Sequence, residues 1–133
     1  MRRQEREPIP AATEDVGSAI VEAAFRVHRA MGPGLLESIY EDCLCLELGK
    51  MGVGFERQLD VPLVYEGVEL DSKFRLDLLG EGCVVVEVKA VEKLLPIHTA
   101  QALSYLRLTG TRLGFLINFT DPLLKDGIHR VVI

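Results

Sequence analysis

Two stretches decide how this chain is read: Phe74-Arg75-Leu76-Asp77, and a few residues on, Cys83-Val84-Val85-Val86-Glu87-Val88-Lys89. The second holds five apolar residues interrupted once by Glu87. Such a run reads as a strand covered on both faces, hence central in its sheet. Side chains alternate along a strand, so Glu87 and Lys89 share one face, and Val84, Val86 and Val88 take the other. A Glu in the middle of a central strand is costly unless it is paired or bound to a cation. Asp77 lies on the preceding strand. It shares the face of Glu87 only if the connecting loop has an odd number of residues, centred on Glu81 or Gly82. Gly80-Glu81-Gly82 suits a loop of about three or five residues. The spacing leaves two readings open. One is a solvated face with a cross-strand ion pair. The other is a site for a hard cation such as Mg²⁺, which takes one or two carboxylates and keeps several waters, with Lys89 beside it to hold the attacking water or to neutralise a phosphate.

Working outward, Ile97 to Leu108 reads as a helix ended by Gly110, and Leu113 to Asn118 as a strong apolar strand. A strand, helix and strand in that order form a right-handed crossover with the two strands parallel. His98, Gln101 and Tyr105 fall at i, i+3 and i+7 of that helix and share a face, which the crossover lays beside the carboxyl end of Cys83–Lys89. Ile128 to Ile133 is a short last strand. Upstream, Phe55 to Leu59, Pro62 to Tyr65, Val68 to Leu70 and Phe74 to Leu79 read as strands, with a turn at Glu66-Gly67.

Two helices precede them. The first starts near Thr13 to Asp15, carries Val16, Ile20, Ala23, Ala24, Val27 and Met31 as its apolar stripe, and stops at Gly32-Pro33-Gly34. The second runs from about Leu35 to Met51, with Leu36, Ile39, Cys43 and Leu46 as its stripe. Glu37 and Tyr40 share a face at its start. Residues 1–14 are polar and mixed in charge, and read as a flexible arm ahead of one domain over 15–133. The expected class is α/β with a mixed sheet.

Composition narrows the function. With 133 residues and 48% apolar content the chain makes one globular domain. The longest run free of Asp, Glu, Lys and Arg, Leu94 to Leu106, is 13 residues, short of the roughly 18 that a membrane span requires. No apolar segment follows the charged N-terminus, so no secretory signal is expected. Three cysteines without a CxxC pair fit a reducing compartment, and the expected location is cytoplasmic. Cys43 and Cys83, in apolar contexts, are expected to be buried. Scattered histidines do not form a zinc site. No glycine-rich phosphate loop, His-x-x-x-His or nucleophile motif is present. Net charge is −5, with 7 basic and 13 acidic residues over 1–70 against 8 and 7 over 71–133. That is not the basic face of a non-specific DNA binder.

Taken together the residues resemble the GxxExxY protein family, a branch of the PD-(D/E)xK nuclease superfamily. Its naming motif is Gly34-x-x-Glu37-x-x-Tyr40. Val27-His28, Met31-Gly32-Pro33-Gly34, Arg75-x-Asp77, Glu87-Val88-Lys89-Ala90, Ala100-Gln101, Ser104-Tyr105-Leu106, Leu116-Ile117-Asn118-Phe119 and Lys125-Asp126-Gly127-Ile128-x-Arg130 also fit. Met31 departs from the family's usual Leu. The resemblance runs from about residue 16 to 133. It implies a restriction-endonuclease-like mixed sheet flanked by helices. It further implies Asp77 and Glu87 as metal ligands, Glu37 as a ligand directly or through water, and Lys89 as the catalytic lysine. Gln101 and Tyr105 would line the site, with Tyr40 and His98 beside them. The implied activity is Mg²⁺- or Mn²⁺-dependent phosphodiester hydrolysis in nucleic acid, DNA first. The bare domain would bind weakly, and a homodimer or partner would add grip. The alternative is a nuclease fold kept for binding nucleic acid or protein without catalysis.

Overall fold

The central strand organises everything around it. In the computed structural model, which describes residues 7–133, β3 (Val84–Lys89) has five consecutive buried residues from Val84 to Val88. The other elements are α1 (Ala11–Met31), α2 (Glu37–Lys50), β1 (Phe55–Tyr65), β2 (Val68–Gly80), α3 (Pro96–Thr109), β4 (Leu113–Asn118), α4 (Leu124–Gly127) and β5 (Ile128–Val132). The sheet order is β1-β2-β3-β4-β5. β3 and β4 are parallel and joined by α3, as the crossover requires, and the other pairs are antiparallel. The protein is thus a mixed five-stranded α/β sheet between helices.

Each face has its own core. Helices α1 and α2 cover one face, where Ile20, Val27, Tyr40, Leu44 and Leu48 pack on Val84, Val86, Val88, Phe115 and Ile117. Gly17 lets α1 come close: a Cβ there would stand 3.1 Å from the Phe115 ring. Helix α3 covers the other face, with Ala102 and Leu106 on Leu76, Val85 and Val131.

Several expectations are corrected. The four strand segments expected between Phe55 and Leu79 form two long strands in one hairpin. Its turn is Glu66-Gly67, with φ of 50° and 76°; two left-handed residues match the twist of the flanking strands. Helix α1 begins at Ala11, so the expected arm shrinks. Its residues 1–6 lie outside the described part, and Arg112 donates hydrogen bonds to the carbonyls of Glu7 and Pro8. Cys43 and Cys83 are only half-buried, at the margin of the larger core.

The stripe expected on α2 is displaced. Leu36 and Leu46 are 70% and 62% exposed, whereas Tyr40, Leu44 and Leu48 are fully buried. Apolar residues lie around most of this helix, so periodicity offers two seams. Packing of Tyr40 on Phe119, with rings 4.7 Å apart and stacked, selects one of them.

Candidate active site

The site begins where the sheet loses its regular alternation. Leu78 packs with the α1/α2 core, but Leu76, two residues earlier on the same strand, packs with the α3 cluster. On β1, Phe55 belongs to the first core and Leu59 to the second. Both strands therefore change face between these pairs, at Gln58 and Asp77. Gln58 has a φ of 51°. A regular strand points neighbours to opposite faces, yet consecutive Arg57 and Gln58 both bond the Glu41 carboxylate.

The β2–β3 connection is Glu81-Gly82-Cys83. Its register, Gly80 opposite Val84 and Leu78 opposite Val86, puts Asp77 across from Glu87. There the ladder stops and side chains take it over. The Val88 amide donates to Asp77 Oδ2 at 2.8 Å, and the Asp77 amide donates to Glu87 Oε1 at 3.3 Å. Each carboxylate thus replaces a missing backbone acceptor on the other strand. Glu87 is 6% exposed. Burial, then the neighbouring Asp77 charge, push its pKa up to about 8. Burial also raises Asp77, with Glu41 adding to it, while the Val88 amide and Lys89 work against the shift. Two acids held this close disfavour double ionisation unless a cation joins them.

Lys89 shares the Glu87 side of β3 by alternation. Among the described residues its ammonium makes no ion pair within 4 Å. It still lies near enough to favour ionisation of Glu37, Asp77 and Glu87. Glu37 approaches from the first turn of α2, where the helix dipole suits an acid. Partial burial and then Asp77 raise its pKa, while Lys89 and the Ala90 amide just past it work against the shift. Tyr105 comes in from α3, stacked on Phe74 at 4.9 Å. Its pKa is raised by burial and then by Glu87 and Asp77.

Other expected site residues stand elsewhere. Tyr40 is fully buried and does not line the cleft. Its hydroxyl donates to the Gly32 carbonyl at 2.5 Å and accepts from the Leu35 amide at 3.1 Å. It buckles the turn between α1 and α2. His98 accepts the Leu95 amide at 3.0 Å and closes the start of α3. Gln101 is exposed one turn before Tyr105.

An open cleft of about 470 Å³ runs beside Asp77, lined by Leu36, Glu37, Ser38, Glu41 and Gln58. Glu41 and Gln58 were not singled out from the sequence. Glu41 is one helical turn after Glu37, a spacing that could have flagged it. The backbone kink that brings Gln58 in has no signal in the sequence. Asn118 also has a structural part. It is 1% exposed and bonds both backbone groups of Val91 and the Asp121 carboxylate, which fixes the chain just beyond Lys89.

Among the described residues no three His, Cys, Asp or Glu side chains gather as a ready-made metal cage. The donors present are the Asp77–Glu87 pair, with Glu37 facing it. An all-oxygen pair with other positions left to water suits a hard divalent cation, which would offset the repulsion between Asp77 and Glu87 that adds to the effect of burial on Glu87. The residues therefore fit such an ion.

No described helix is long and apolar enough to cross a membrane. No curated protein and no solved structure matches the chain. A family model does, over residues 14–131, nearly the whole described length. With that match spanning both strands of the carboxylate pair and the helices around them, the chain belongs to the PD-(D/E)XK nuclease superfamily.

Proposed function

We propose that the protein is a divalent-metal-dependent nuclease of the GxxExxY branch, hydrolysing phosphodiester bonds in nucleic acid, with DNA as the first substrate to test. The observation that carries this reading is the interlocked Asp77–Glu87 pair with Lys89 beside it, in no ion pair among the described residues. Asp77 and Glu87 would hold a divalent cation such as Mg²⁺ or Mn²⁺, with Glu37 as a further ligand directly or through water. When bound, the cation supplies Lewis-acid polarisation of the phosphate and a more acidic water.

The chain's own groups do the rest. Lys89 presents a compact positive charge to a phosphate oxygen or to the attacking water. Tyr105 and Gln101 flank the substrate from α3. A homodimer would supply a second grip on a duplex, since the chain's net charge of −5 provides little attraction.

The test is calorimetric titration of Mg²⁺ and Mn²⁺, beside cleavage of plasmid and single-stranded DNA, on the native chain and on Asp77→Ala. The native chain should bind and cleave, and the variant should lose both. A native chain that binds the ion and nucleic acid but cleaves nothing would support the non-catalytic module instead. No metal binding at all sinks the nuclease reading.

A further inference from the structure

Gln58 carries a left-handed φ of 51° inside a strand. Among the described residues the two other non-glycine positions with positive φ, Glu66 and Glu81, sit where the chain reverses, which accounts for them. No reversal accounts for Gln58. Left-handed backbone in a residue with a full side chain persists only where its surroundings enforce it, and it clusters at functional sites.

The strain has a visible result. It turns Gln58 to the same side as Arg57, so that its carboxamide reaches the cleft. Gln58 Nε2 stands 2.7 Å from Glu41 Oε1 and 3.5 Å from Asp77 Oδ1. Between two carboxylates only the NH₂ end of an amide fits, because its two hydrogens can serve one acid each. Glu41 is itself fixed. It is 6% exposed and takes a second bond from Arg57 Nε at 2.7 Å, and Arg57 also reaches Asp42. A chain of contacts therefore runs from Arg57 through Glu41 and Gln58 to Asp77. It ends on the oxygen of Asp77 that Val88 does not hold.

We propose that Gln58 is a positioning residue for Asp77: anchored on Glu41, its amide fixes the Asp77 carboxylate with one oxygen on the Val88 amide and the other turned to the cleft. The placement itself is independent of catalysis, and only its consequence for metal affinity rests on the nuclease reading.

The experiment uses the full chain and reads hydrogen exchange at the Val88 amide by NMR, metal-free, with Mn²⁺ affinity and thermal melting alongside. Gln58→Gly and Gln58→Asn accept left-handed backbone but remove the reach of the side chain. In both, Val88 exchange should rise roughly fivefold, the equivalent of one ordinary hydrogen bond. Exchange at Phe115 and Ile117 of β4 should not change, and Gln58→Gly should melt no lower than the native chain. Mn²⁺ affinity should fall by a similar factor. Glu41→Leu should reproduce the Val88 effect, and Glu41→Gln, which keeps an acceptor, should largely restore native exchange. Native exchange at Val88 in Gln58→Gly overturns the proposal. So does a general rise that includes β4 with a lower melting temperature, the mark of a merely structural role. If the native chain binds no Mn²⁺, the nuclease reading fails, while the Val88 measurement still decides the placement.

Discussion

Glu87 and Lys89 sit two residues apart on one strand and behave oppositely. Burial, and then the neighbouring Asp77 charge, push the Glu87 pKa up to about 8, against 4.5 for an ordinary glutamate carboxylate. Between those values the folded state keeps a proton that the unfolded chain has released. The stability Glu87 contributes is therefore complete below about pH 4.5 and is lost as pH rises through 8. Thermal melts in EDTA from about pH 5 to about pH 9 should show this decline. Glu87→Gln should flatten it, and Mg²⁺ should raise the melting temperature most at the alkaline end. A pH-independent melt in EDTA would contradict the burial of this acid. Among the described residues Lys89 makes no ion pair whose loss would strand a buried charge. Lys89→Ala should change stability by less than about 1 kcal/mol, abolish cleavage, and leave metal affinity at or above the native value, because a nearby positive charge has gone. Full cleavage by a stable Lys89→Ala would remove the catalytic role assigned to it. A loss of about 3–5 kcal/mol would instead point to a buried ion pair with Glu87.

At the scale of elements, α2 places the third acid, and its seating depends on one seam. Tyr40 and Leu44 are fully buried, while Leu46 is 62% exposed. Leu44→Ala should cost about 2–5 kcal/mol in urea unfolding, and Leu46→Ala under about 0.5 kcal/mol. Equal effects would mean that the helix is rotated from the position described. This is also where the sequence misleads, because Leu36, Ile39, Cys43 and Leu46 form as good a stripe as the one the protein uses. The β3 strand was readable for the opposite reason. A run of valines opened by Gly80-Glu81-Gly82 has only one sensible use, and it also set the parallel pairing to Leu113–Asn118 through the crossover helix.

For the whole molecule, charge is the main constraint on substrate binding. A net charge of −5 leaves phosphate attraction to a few local cations and to any bound metal. Fluorescence anisotropy should find weak duplex binding by the isolated chain, without cleavage when Ca²⁺ replaces Mg²⁺. The affinity should fall steeply with salt, in proportion to the phosphates contacted. Tight binding that ignores salt would argue for contacts other than phosphates.

The sequence by itself determined the order of most elements, the central strand, and the acids and lysine worth testing; it suited an odd loop between Asp77 and Glu87, and the β2–β3 register established it. Those features are local: alternation, turn chemistry and spacing act over a few residues. Only the tertiary structure decided that Gln58 and Glu41 join the cleft, that Tyr40 is a buried buckle, and that His98 serves a helix start. Each depends on contacts between residues distant in the chain or on a left-handed φ within a strand. Neither leaves a pattern in the order of side chains, because the energy that enforces them comes from packing across elements.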